Sequence, residues 1–117
     1  MANELHVSCS LTFSKDGAKV QKNYSATLDV TGDSFVSGVL SIGGTEEELT
    51  QIVDLVTPGY VILKNLSSTY YCEFGSTTGV YDIKLLPGEI AIYRHNSDTL
   101  YAKSESASLV EYTIIEA

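Results

Sequence analysis

A chain of 117 residues, 44% of them apolar, is long enough for one hydrophobic core but not two, and too apolar to be disordered throughout. Fifteen Asp and Glu against seven Lys and Arg give a formal charge of −8, which repels a phosphate backbone and argues against nucleic-acid binding. No apolar run approaches the roughly 20 residues of a membrane-spanning helix. MANELHVSCS has no basic region leading into an apolar stretch, so the chain is expected to be made and kept in the cytosol, or to leave by a route that does not read its N-terminus.

Residues 4–14, ELHVSCSLTFS, alternate strictly. Leu5, Val7, Cys9, Leu11 and Phe13 fall on one side; His6, Ser8, Ser10 and Thr12 fall on the other. Period-two alternation of this length predicts a half-buried strand. KDG at 15–17 supplies a turn in which Gly17 can take φ > 0. Residues 18–30 return as a second strand, with Val20, Tyr24, Ala26, Leu28 and Val30 on one side. Lys22 interrupts that side, which predicts an edge position or a bulge. TGD at 31–33 turns the chain into FVSGVLSI, 35–42, where Gly38 signals a bend or a close neighbour.

GGTEEELTQI, 43–52, reads as an edge strand protected by its charges; the competing reading is a helix start capped by Thr45 and Glu48. VTPGY, 56–60, is a predicted turn. YVILKN follows as a nearly continuous apolar strand, expected to be central and covered on both faces. NLSS is a loop. TYYCEF, 69–74, places Cys72 and Phe74 opposite Tyr71 and Glu73. GSTTG turns, and VYDIKLL, 80–86, points Tyr81, Ile83 and Leu85 inward.

LPGE, 86–89, is a tight turn into EIAIYR. HNSD turns, LYAK is a short strand, and LVEYTIIE closes with Val110, Tyr112 and Ile114 inward. Reversals about every ten residues predict an all-β fold, an antiparallel β-sandwich or jelly roll. No linker, repeat or low-complexity stretch interrupts it, so 1–117 reads as a single domain.

Chemistry is sparse along the chain. The only imidazole bases, His6 and His95, sit on a polar strand side and in a turn, and both are expected to face solvent. Cys9 and Cys72 occupy apolar strand positions with no basic neighbour, which predicts free buried thiols, a single bridge being the alternative. There is no CxxC and no His pair at ligand spacing, so no metal is expected; Gly43-Gly44 lacks the surroundings of a phosphate cradle, so no cofactor is expected. Glu46, Glu47 and Glu48 are adjacent and cannot flank a scissile bond, which leaves a solvated charge cluster. Tyr70, Tyr71, Tyr93 and Tyr101, with Tyr81, have two readings. Strands recruit Tyr for packing alone, and the same rings can line a face for protein or sugar.

GYVILKNLSSTYYCEFG, LLPGEIAIYR, LYAKSESASLVEY and the opening MANEL together resemble a group of small virion proteins of tailed bacteriophages, and SIGGTEEEL resembles the segment that group places before its GY strand. The resemblance runs from about Ile42 to the end and more loosely over the first two strands. Its motif is made of turn and packing residues, so it marks a fold more than a site. It implies a β-sandwich virion component. The first expectation is a non-enzymatic capsid decoration or cement protein bound to the major capsid protein lattice, as a homo-oligomer with a trimer favoured. The alternative is a tail or neck subunit. A carbohydrate-binding module, which the tyrosines and the sandwich would permit, is the lesser one. Asn65 matches the motif's Asn and is expected to close the strand end through bonds to backbone. Pro87-Gly88 matches its turn. Cys72 departs from it, standing where a plain aliphatic is expected.

Overall fold

The computed structural model describes residues 4–30, 32, 34–49 and 57–116. Its contacts group the chain into two compact units, Met1–Thr31 and Gly32–Ala117. That division falls where the sequence shows no boundary.

The first unit is one hairpin. β1 (Leu5–Lys15) and β2 (Ala18–Leu28) pair antiparallel in unbroken register from Leu5↔Leu28 to Lys15↔Ala18. Asp16 and Gly17 have φ of 50° and 87°, as the two-residue turn with mirror-image geometry requires; it is the turn whose twist matches its strands. Lys22 makes no bulge. It sits opposite Leu11 on a ribbon whose two strands are both edges. The predicted half-burial does not occur: Leu11 is 61%, Phe13 48%, Val20 42% and Tyr24 63% exposed. Alternation assigns the apolar residues to one face, but covering that face takes a second layer, and a two-stranded sheet has none.

The second unit is a jelly roll. Its strands are β3 (Phe35–Ile42), β4 (Glu47–Glu48), β5 (Pro58–Asn65), β6 (Cys72–Gly75), β7 (Ile83–Leu85), β8 (Ile90–Arg94), β9 (Tyr101–Ser104) and β10 (Ser108–Glu116). They form two antiparallel sheets ordered β3-β10-β5-β8 and β4-β9-β6-β7. The pairs β3·β10, β4·β9, β5·β8 and β6·β7 are those of one long ribbon doubled back between β6 and β7. Rolling that ribbon sets β10 beside β5 and β9 beside β6, which closes the two sheets of an all-β sandwich.

The core lies between the sheets. Ile42, Val61, Leu63, Val110, Tyr112 and Ile114 come from one sheet; Cys72, Phe74, Leu85 and Ala102 come from the other. The parities predicted for β7 and β10 are the ones buried, and on β6 it is Cys72 and Phe74 that face the core. Gly38 has the predicted close neighbour: a Cβ there would lie 3.1 Å from the Tyr112 hydroxyl.

Three expectations need correcting: those for β5, for Pro58-Gly59 and for His95. β5 is central in its sheet but covered on one face only, with Ile62 43% exposed, because a two-layer body has nothing outside it. Pro58 and Gly59 belong to β5 rather than to a turn; Pro58 opens the strand opposite Glu116, where proline's missing N–H is tolerated. The 43–52 segment is the expected edge strand over the two residues of β4, at the edge of its sheet, followed by a fully buried Leu49; 50–52 lie outside the described residues. So do Thr31 and Asp33 of the predicted TGD turn. His95 is buried, at 8% exposure, not solvent-facing.

Candidate functional site

The two motif elements, Asn65 and Pro87-Gly88, meet in the fold. Asn65 ends β5 and is fully buried. Its Nδ2 donates to the carbonyls of Tyr70 (2.8 Å) and Leu85 (3.0 Å), and its Oδ1 accepts from the Ser67 amide (2.9 Å). Its main chain closes the contact, with Gly88 N donating to Asn65 O and Asn65 N to Glu89 O, both at 3.0 Å. Pro87 and Gly88 are the central residues of a turn closed by Glu89 N on Leu86 O; the Gly88 φ of 83° is what this turn demands of its third residue. Asn65 thus serves three backbone groups that would otherwise be orphaned. Each such buried orphan costs about 1–3 kcal/mol. It ties together the ends of two sheets and is an architectural residue.

The acidic run is bonded rather than loosely solvated, which corrects the expectation. Glu46 Oε1 accepts from Gly79 N at 2.7 Å and from the Tyr81 hydroxyl, and Glu47 Oε2 accepts from Gly43 N at 3.1 Å. The Tyr81 phenol, then the Gly79 amide, hold the Glu46 carboxyl below its ordinary range, and the same hydrogen bond pushes Tyr81 up to about 12. This carboxylate fastens the 77–81 turn.

The tyrosines do not share one face. Tyr93 points between the sheets, its ring packed on the core and edge-on to His95 at 5.9 Å. Burial pushes its phenol up to about 12, and its hydroxyl makes no protein hydrogen bond. Tyr70 lends its carbonyl to Asn65, Tyr71 lies under the Lys84 ammonium at 4.3 Å, and Tyr101 is half-buried on β9 opposite Glu48 and Gly75.

His95 is held by structure on both sides. Its Nε2 lies 2.5 Å from Thr99 O, so that nitrogen carries the proton, and its amide donates to Gly59 O at 2.8 Å. A cleft of about 260 Å³ between the sheets is lined by Phe74, Asp82, Tyr93, His95 and Asn96 among others. His6 is exposed, 3.4 Å from the Thr27 hydroxyl across the hairpin. Both cysteines are free thiols, Cys9 exposed against expectation and Cys72 buried, with burial pushing the Cys72 thiol up. Among the described residues, no group of three His, Cys, Asp or Glu is placed to hold a metal ion.

Two apolar surfaces stand open instead. One is the hairpin face of Leu11, Phe13, Val20 and Tyr24. The other is the outer face of the β3-β10-β5-β8 sheet, where Phe35 (67%), Val39 (52%), Leu109 (51%), Ile62 (43%) and Ile90 (66%) are exposed. Ile62 and Ile92 are direct cross-strand partners on that face. Chain reading missed both surfaces, yet a signal was present in FVSGVLSI and YVILKN. These strands are apolar at both parities, and in a two-layer fold the second parity has to face outward. Set against known proteins, the chain matches no family model, no curated protein and no solved structure.

Proposed function

We propose that this chain is a non-enzymatic structural component of a tailed-bacteriophage virion, a decoration protein seated on the major capsid protein lattice. The observation that carries this reading is the pair of open apolar surfaces. Large apolar side chains gathered on one sheet face, as around the Ile62–Ile92 pair, mark surfaces made for other proteins. The residues behind the phage resemblance support it in a second way. Asn65 and Pro87-Gly88 converge to lock one end of the jelly roll, so the motif preserves a body that presents surfaces and not a reaction centre. On a shell the physics is repetition: modest area at each contact, multiplied over symmetry-related copies, becomes durable attachment.

Copy number tests it. Virions are purified from the lysate of cells that carry this gene, and the chain is quantified by mass spectrometry against the major capsid protein. Hundreds of copies per particle are expected on the shell; a few to a few dozen would move the assignment to the tail or neck. Purified particles free of the chain would overturn the virion reading.

A further inference from the structure

We infer that the open edge of β3 pairs with itself: β3 joins β3 of a second copy of this chain, antiparallel about a two-fold axis at Gly38, and the two four-stranded sheets become one. The pairing belongs to the chain alone and does not depend on the virion reading.

Edge strands present unpaired N–H and C=O groups, and folded chains guard them with short length, charge, proline or bulges. Three of the four described edges of the jelly roll are guarded. β4 is two residues, both glutamate; β7 is three residues around Lys84; β8 is five residues and ends on Arg94. β3 is eight residues, FVSGVLSI, with no charge and no proline. Its register with β10 runs unbroken from Phe35↔Ile115 to Ile42↔Ser108, so no bulge turns it away. Among the described residues, no strand pairs with its other side.

One bond fixes which groups are open. Glu116 N donates to Ser34 O at 2.9 Å, one step beyond the β3·β10 register. Bonded pairs recur at every second residue of an antiparallel ladder. Val36, Gly38, Leu40 and Ile42 therefore bond β10, while Phe35, Ser37, Val39 and Ser41 aim N–H and C=O outward. Leu66 N on Leu109 O agrees, since the odd residues of β10 then bond β5.

That pattern is complementary to itself. With Gly38 opposite Gly38 of the second copy, Phe35 meets Ser41 and Ser37 meets Val39, each twice across the axis. Every outward residue finds an outward residue, and the pairs exchange about eight hydrogen bonds. On the inner side Val36 meets Leu40; both are half-buried against the core, and the pairing covers them. β8 of another copy is a poorer partner. Asn65 N on Glu89 O fixes its phase, so it aims only Ile90, Ile92 and Arg94 outward. That is one residue short, places a charge at the junction, and runs on as a filament instead of closing.

Eight residues at about 3.3 Å each, on an edge about 10 Å thick, cover roughly 260 Å² per copy, so the pair is a weak one that forms between ~10 µM and ~1 mM. The charge of −8 on each copy opposes it, and salt strengthens it by screening that repulsion.

The full chain is followed by sedimentation equilibrium over that range at ~50 and ~500 mM salt, and by amide hydrogen exchange at both ends of the range. A dimer is expected, tighter at the higher salt. The amides of Ser37 and Val39 should exchange freely in dilute solution and gain protection on concentration, while those of Gly38 and Leu40 stay protected throughout. Val39→Pro removes an outward N–H that β10 does not use, so the thermal melt should barely move while the dimer weakens at least ~10-fold, each lost bond counting twice across the axis. Ser37→Pro repeats the test at the neighbouring outward amide, and Ile62→Lys, on the sheet face away from the edge, should leave the dimer intact. A monomer throughout, a trimer or open-ended growth overturns the inference. So does protection of Ser37 and Val39 in dilute solution, a dimer that loosens as salt rises, or one that Ile62→Lys breaks and neither proline weakens.

Discussion

Phe13 and Phe74 both lie on strands that alternate between apolar and polar residues, and in sequence nothing separates them. Phe74 is wholly buried between two sheets, while Phe13 is 48% exposed on a hairpin. The contrast extends to the units that hold them. The 32–117 unit closes an antiparallel ribbon into two facing sheets and owns a core; the 1–31 unit has the same period, cleaner turns and longer strands, and owns none. Alternation sorts side chains by face. Whether a face is covered depends on what arrives from elsewhere.

The comparison breaks most sharply on the two phenylalanines. Phe74→Ala is expected to cost about 3–5 kcal/mol in denaturant unfolding, transfer and cavity terms together. Phe13→Ala is expected to stay within about 0.5 kcal/mol. Comparable losses at both sites would mean that the hairpin is buried in solution after all.

Asn65→Ala comes next. It strands the Tyr70 and Leu85 carbonyls and the Ser67 amide, and a loss of about 2–3 kcal/mol is expected, read as a lowered Tm. Asn65→Asp separates donor from acceptor. It keeps the acceptor for Ser67 but sets a carboxylate against two carbonyls, so it should be no better than Ala.

The pH dependence is smaller, and its sign is fixed. Glu46 is held below its ordinary value in the fold, so its contribution is present above the unfolded carboxyl range and is lost as pH falls through the folded value. Tyr81 and Tyr93 are raised to about 12, so theirs is present below the unfolded phenol range and fades as pH climbs toward about 12. A Tm profile against pH should fall at both ends, and Glu46→Gln should flatten the acid limb.

The mildest probe uses the native thiols. With a chromogenic disulfide reagent on folded protein, Cys9 should react at once, and Cys72 only as fast as the jelly roll opens. Prompt reaction of both would deny the contrast between the units.

Much of the architecture was legible along the chain. Asp16-Gly17 and Pro87-Gly88 announce their turns because their backbone conformations admit few residues, and Val110, Tyr112 and Ile114 announce an inward face because side chains on a strand alternate. The site was less legible. Asn65 could be expected to bond backbone, but not to reach the turn at Gly88. Glu46 and Tyr81 are 35 positions apart and meet only after the ribbon rolls. His95 looks like a turn residue in sequence and is buried, bonded to the carbonyls of Gly59 and Thr99.

Strand period, turn geometry and the side each residue takes are written locally, since they follow from the backbone angles of a few neighbouring residues. Strand partners and covered faces are not. Pairing β10 between β3 and β5, burying Leu63 and leaving Leu11 in water all depend on a second layer arriving about 10 Å away, and no short stretch of chain encodes that.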